Sequence, residues 1–290
     1  MWIFFIINKG DDMIKQLIRK KYIAEALVLI GIIATIISAI LFYYEPYFYI
    51  GFVLGLLIAV VGKSMYNSVK RSIDEEIVPT LYREYLGSSV YRPNDGFSQG
   101  EVYNSHLLKM HERFISEDLV SGEIYNRKYK MSEIFLYDTL PNSKKPTSSV
   151  VFSGLFIQVN IESRLPDSVY VIPKGNEQFD YLPQKNLRKT VIEAIDTNFD
   201  IYSRDKSGVD KLFKTPFADS LIAVNKDYKK LFVAVKKHAT YIAIDSRKEV
   251  FTIRMFRPLN KKFLEDLKHE IETIKTLINS LNSNKGWQTV

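Results

Sequence analysis

The stretch EDLVSGEIYNRKYKMSEI, residues 117–134, sets the fold. Two runs rich in β-branched and aromatic residues, LVSGEIY and YKMSEIFLY, flank Asn126 and Arg127. The pattern reads as a β-hairpin turning at Asn126–Arg127, with Asn well suited to such a turn. In that register Tyr125 faces Lys128, and Glu123 faces Lys130 as a favourable cross-strand pair. Glu117 and Asp118 fall before the first strand and stay solvated. Glu133 stands apart. By period two it shares a face with Tyr129, Met131, Phe135 and Tyr137. A carboxylate buried there costs several kcal/mol unless it is paired or protonated. A bulge near Ser132 or a structural partner would relieve it. Glu133 is therefore the candidate functional or buried carboxylate.

Further strands follow at 149–161, where SVVFSGLFIQVNI reads as a central strand, and at 169–172, 199–202, 231–237, 240–245 and 250–256. DTLPNSKKPTSS (138–149) is rich in turn formers and reads as a long hairpin loop. Helices are expected over 101–111, 184–195, 206–214 and 216–226, the last with Thr215 as N-cap and Pro216 at its first position. Residues 87–100 read as a loop. Strands and helices in this order make an α+β domain with a mainly antiparallel sheet.

Upstream lies a different kind of sequence. Ala26–Tyr44 is an uncharged run of 19 residues, and Tyr47–Gly62 a second of 16, separated by Glu45–Pro46. At about 1.5 Å per residue the first spans roughly 28 Å, close to a bilayer's hydrocarbon core. The second is shorter, with Lys63 placed to snorkel and Tyr66 at the interface. Tyr43, Tyr44, Tyr47 and Tyr49 crowd the turn as an aromatic belt. Gly51 and Gly55 form a GxxxG that lets two helices approach. Lys15, Arg19, Lys20 and Lys21 precede the pair, Lys63, Lys70 and Arg71 follow it, and the turn holds no Lys or Arg. The positive-inside rule then puts both termini in the cytoplasm of a protein in the cell membrane. Lys9–Asp12 precedes Met13, which is the expected natural start.

A helix continues from Lys63 to Leu86 with an apolar stripe at Val69, Ile73, Ile77 and Leu81, kinked or restarted at Pro79. At the far end Leu264, Leu267, Ile271, Ile274, Ile278 and Leu281 repeat at three and four residues. The seam either packs on the protein's own sheet or joins two copies. The expected organisation is an N-terminal segment 1–21, a transmembrane helical hairpin 22–66, a linker helix and loop 67–112, a cytoplasmic α+β domain 113–258, and a C-terminal amphipathic helix and tail 259–290.

EDLVSGEIYNRKYKMSEI, VVFSGLFIQVNI with VYVIP, FDIYSRDKSGVDKLFKTPFADSLI and KLFVAVKKHATYIAI, following a membrane hairpin and EEIVPTLYREYL, resemble the bacterial domain-of-unknown-function family numbered thirty-one thirty-seven. The resemblance covers roughly residues 70–258. It implies a bacterial membrane protein with a cytoplasmic domain, and it implies no reaction.

Chemistry is sparse. The absence of cysteine excludes disulfides, thiolate metal sites and a cysteine nucleophile. His106, His111, His238 and His269 lack metal-ligand spacing, and no phosphate-binding or nucleophile-elbow motif occurs. No cofactor or metal is expected. Arg204 and Lys206 mark a turn that could hold an anion at a helix N-terminus, unless Asp205 simply caps the helix. The net charge of +7 lies in dispersed Lys pairs, without the clustered stripe of a nucleic-acid protein, and suits anionic lipid headgroups better. The sequence reads as a membrane-anchored binding or scaffold module. Its partners would be the bilayer through residues 26–62 and a protein or a second copy. The alternative is a membrane-proximal enzyme using the acidic hairpin around Glu133.

Overall fold

The computed structural model describes residues 2–139, 148–161, 165–175, 187–193, 195–214, 216–228, 230–247, 255–256, 258–259 and 261–282. The chain divides into two compact units, Met1–Val78 with Thr252–Glu265, and Pro79–Phe251 with Asp266–Val290.

In the first unit, α1 (Trp2–Phe42) and α2 (Tyr49–Ser72) are joined by a short 3-10 turn, Pro46–Phe48. Both helices are long and apolar enough to cross a membrane. They approach so closely that a Cβ on Gly55 would sit 2.7 Å from the backbone nitrogen of Thr35 and 2.9 Å from the Gly31 carbonyl oxygen. Only glycine permits that contact. Just before the apolar run, Lys21 donates to Glu25 as a buried ion pair, and the Phe256 amide donates to the same Glu25 oxygen at 2.7 Å. Lys63 Nζ lies 5.2 Å over the Tyr66 ring, a cation–π contact. Pro79 does not end the helix. One widened π turn, Ile73–Ile77, precedes α3 (Val78–Leu86).

The second unit is built on one antiparallel sheet of nine described strands, ordered β1-β2-β3-β4-β9-β8-β5-β7-β6. The strands are β1 (Ser88–Arg92), β2 (Arg113–Ile124), β3 (Arg127–Thr139), β4 (Ser148–Asn160), β5 (Val169–Pro173), β6 (Arg188–Thr190), β7 (Phe199–Ser203), β8 (Leu231–Val235) and β9 (Ala239–Asp245). The helices are α4 (Gln99–Tyr103), α5 (Lys206–Phe213), α6 (Pro216–Asp227) and, from Asp266 onward, α7 (Lys261–Asn282). One face carries a core of Phe97, Val102, Leu108, Phe152, Phe156 and Phe232. β4 lies between β3 and β9, where a central strand was expected. At Gly154 a Cβ would fall 1.9 Å from the Ile244 carbonyl oxygen, so β4 and β9 meet there only because the residue is glycine. Beside it the buried Asp245 carboxylate accepts from the Ser153 amide and from Arg247 Nε. Arg247 also donates to the Val150 and Val151 carbonyls at 2.7 and 2.9 Å.

Several expectations change. The hairpin turns at Tyr125 (φ 51) and Asn126 (φ 59), pairing Ile124 with Arg127. This primed turn needs two left-handed residues, and Asn tolerates that conformation better than Arg. Glu123 therefore faces Lys128, and Lys130 faces Ser121. The supposed loop 87–100 holds β1 and the start of α4, whose Ser98–Glu101 capping box fixes it. The helix expected over 101–111 ends at Tyr103. No helix forms over the described part of 184–195: Arg188–Thr190 is the edge strand β6, in line with the β-branched run Thr190-Val191-Ile192. Most of the strand expected at 250–256, the tip of the 138–149 loop, and the cap Thr215 lie outside the described residues.

Gly55→Leu should part α1 and α2 and cost about 1–3 kcal/mol, as overpacking does. The check is thermal loss of helical circular dichroism in detergent. The midpoint should fall for Gly55→Leu and hold for Leu57→Ala, whose side chain is 55% exposed. Equal midpoints would contradict the close packing.

Candidate functional site

β2 begins at Arg113, so Glu117 and Asp118 lie within it rather than before it. The ladder pairs Glu117 with Glu133, then slips between Glu117 and Val120. Two residues, Asp118 and Leu119, there oppose the single Ser132, which is a β-bulge. The bulge sits on the strand facing Ser132, and it does not turn Glu133 outward: Glu133 is 1% exposed. Asp118 takes a left-handed backbone, φ 61. The amides of Asp118 and Leu119 turn to the Pro93 and Asp95 carbonyls at 3.2 and 3.0 Å. Hence the extra residue leaves no backbone donor unsatisfied.

The bulge gathers carboxylates. One oxygen each from Glu117, Asp118 and Glu133 lies within 4.8 Å of the others. Asp118 is buried, Glu117 half-buried. The Tyr91 hydroxyl donates to Asp118 Oδ1, and the Tyr91 ring stacks on Tyr82 at 6.0 Å. Tyr82 is itself fully buried, with Glu270, Glu133 and Asp118 close enough to act on its hydroxyl electrostatically. On the opposite face of the same strands Ser116 and Ser132 share a 2.7 Å hydrogen bond, and Ser116 Oγ accepts from the Phe97 amide.

Like charges directly opposite destabilise a ladder pair. Three carboxylate oxygens form a hard donor set, suited to calcium or magnesium rather than to zinc. Proximity of acids is by itself only an arrangement, and its measurable consequence is energetic. Reading the sequence singled out Glu133 and missed its neighbours. The missing signal was the one-residue slip, which no period-two reading contains.

The remaining candidates are dispersed. Asp205 caps α5, accepting from the Ser207 and Gly208 amides at 3.1 and 2.7 Å, so these two amides are occupied by the chain's own carboxylate. Arg204 Nε lies 3.6 Å from Asp167, and Lys206 opens the helix. Along α7, Leu267, Ile271, Ile274, Ile278 and Leu281 are all at most 1% exposed, packed within the chain itself; the Leu264 side chain lies outside the described residues. α7 sits beside the end of α6, where His269 approaches Asp227 at 3.4 Å and Tyr228 bonds Thr273. Of the four histidines, His111 pairs through Nδ1 with Asp138 at 2.9 Å. Partial burial opposes ionisation of Asp138, yet hydrogen bonds from His111 and the Glu112 amide hold its carboxyl below the usual range.

Glu133→Gln keeps the shape and removes one of the facing charges. It should raise the thermal midpoint of the full chain in detergent by about 1–4 °C, the equivalent of up to about 1 kcal/mol. Glu123→Gln, exposed opposite Lys128, should shift it by under about 1 °C. Equal small shifts would show that the three carboxylates do not strain one another.

No curated protein matches the sequence. Among solved structures, the crystal structure of the mycobacterial trehalose monomycolate transport factor A, TtfA, is similar at a TM-score of 0.40 and 8% identity, over 71% of this chain and 97% of that one. At that distance nothing is carried over from it. A family model matches residues 150–283, a window that starts later than the resemblance noted above and runs on through α7. The family whose model they match is described as Protein of unknown function (DUF3137).

Proposed function

We propose that the protein is a membrane-anchored binding module whose helical hairpin lies in the cell membrane and whose sheet domain works in the cytoplasm. The observation that supports this is the outer surface of α1 and α2. Ile30, Ile33, Ile37, Ile40, Leu54, Leu57, Val60 and Val61 are all more than half exposed, Ile40 at 60% and Val60 at 64%. Soluble proteins rarely expose contiguous apolar patches beyond a few hundred Å². Lipid covers such a surface at no cost, and the uncharged stretch between Glu25 and Glu45 matches the bilayer's hydrocarbon core. The basic flanks on both sides of the hairpin, against a turn without Lys or Arg, support an orientation with both termini inside.

The reading as a binding module rather than an enzyme rests on what the site offers. The carboxylates around Glu133 are a proximity of acids, and no nucleophile motif accompanies them in the sequence. The alternative, an enzyme centred on Glu133, has that proximity as its whole support.

The absence of cysteine makes the topology directly measurable. Tyr47→Cys, at the hairpin turn, should react with a membrane-impermeant maleimide in intact cells. Lys237→Cys, exposed in the sheet domain, should react only after lysis. Labelling of Lys237→Cys in intact cells would reverse the orientation, and release of the protein by alkaline carbonate would remove the anchor.

A further inference from the structure

At one end of the sheet several strand termini meet. Tyr129 pairs with Val159, Asn160 with Ala239, and Thr240 with Val235. The β2–β3 turn, the end of β4 and the β8–β9 turn therefore lie together. The Ile161 amide donates to the His238 carbonyl at 3.3 Å, tying the end of β4 to the β8–β9 turn. A cavity of about 410 Å³ opens between them. It falls within the range of about 300–1,000 Å³ that small-molecule sites occupy.

Its lining is selective in charge. Arg127 and His238 are its basic lining residues, Gln158, Asn160 and Tyr241 its polar ones, and the buried Ile161 is apolar. No carboxylate lines it among the described residues. The acid that acts on Tyr241 from nearby is Glu101, which is already bound by Lys130 at 3.1 Å and by the Ser98 amide at 2.9 Å. Next to the wall, Lys236 is spoken for. Its Nζ donates to the Asn104 carbonyl at 2.6 Å and lies 6.0 and 5.8 Å over the Tyr170 and Tyr241 rings. Burial draws this amine down to about 8.

We propose that this cavity binds a phosphomonoester, with Arg127 and His238 meeting the phosphate and Gln158, Asn160 and Tyr241 meeting the hydroxyls of the group that carries it. A planar guanidinium engages phosphate through two parallel N–H bonds, and such charge-assisted bonds are the strong ones. Primary amides and a phenol donate and accept, which suits a polyol or sugar better than an apolar tail. All lining residues belong to the sheet unit, so the inference stands independently of the membrane anchor.

The test uses the full chain in phosphatidylcholine nanodiscs, titrated calorimetrically with glycerol 3-phosphate. Saturable binding is expected. Arg127→Gln and His238→Gln should each weaken it on the order of tenfold, the loss of one charge-assisted bond. Lys237→Gln, which makes the same change of charge beside the cavity, should stay within about twofold. A second set of nanodiscs adds phosphatidic acid. If the lipid suppresses binding of the soluble phosphate, a lipid headgroup occupies the cavity. If it does not, the ligand is a free phosphomonoester. The proposal is overturned by absence of saturable binding in both settings, or by Lys237→Gln weakening binding as much as Arg127→Gln.

Discussion

The sheet depends on the seam between β4 and β9. On one side stand β1 to β4, and on the other β5 to β9. Among the described strands only the β4–β9 ladder joins them, and it pairs Gly154 with Asp245. Any side chain at Gly154 would meet the Ile244 carbonyl oxygen, so the two backbones come within a distance only glycine allows. The Asp245–Arg247 pair then locks the approach. A buried carboxylate is costly unless matched, and here it accepts an amide and a guanidinium that is itself bound to two carbonyls of β4. Each half-sheet would otherwise expose an unpaired edge, the condition under which strands seek partners elsewhere.

That seam also organises what the family match means. Residues 150–283 begin in β4 and run through α7. The matched segment therefore contains β4 to β9 but lacks β3, the other neighbour of β4. The carboxylates of Glu117, Asp118 and Glu133 fall wholly in the unmatched strands. The cavity at the end of the sheet is lined from the matched segment apart from Arg127. The two candidate places thus differ in position: one lies outside the matched segment, the other within it apart from Arg127.

Much of the fold was legible because its signals are local. The uncharged runs, the β-branched strands and the heptad-spaced tail each carry their period in the sequence. β1 was invisible because SSVYR is short and half-solvated, and becomes a strand only by pairing with β2 beyond the left-handed Gly87. The stretch around Arg188–Thr190 misled for the same reason: an edge strand of three residues is decided by its neighbour, here β7, and by the Lys189–Asp200 ion pair at 2.7 Å.

The site was half legible, and the missing half has a single physical cause. Alternation correctly sets Glu133 on the face of Tyr129 and Met131, where it is buried. It cannot say that β2 carries an extra residue. With the turn at Tyr125–Asn126 and no bulge, Glu117 would face Ile134, and Glu133 would face Asp118. The inserted residue moves Glu117 opposite Glu133 and leaves Asp118 left-handed beside both. Aspartate is among the few residues that accept that conformation, and its carboxylate is held by Tyr91 from the neighbouring strand. A one-residue slip thus turns an ordinary acidic hairpin into a meeting of three carboxylates, two of them buried, and that meeting is set by geometry rather than by composition.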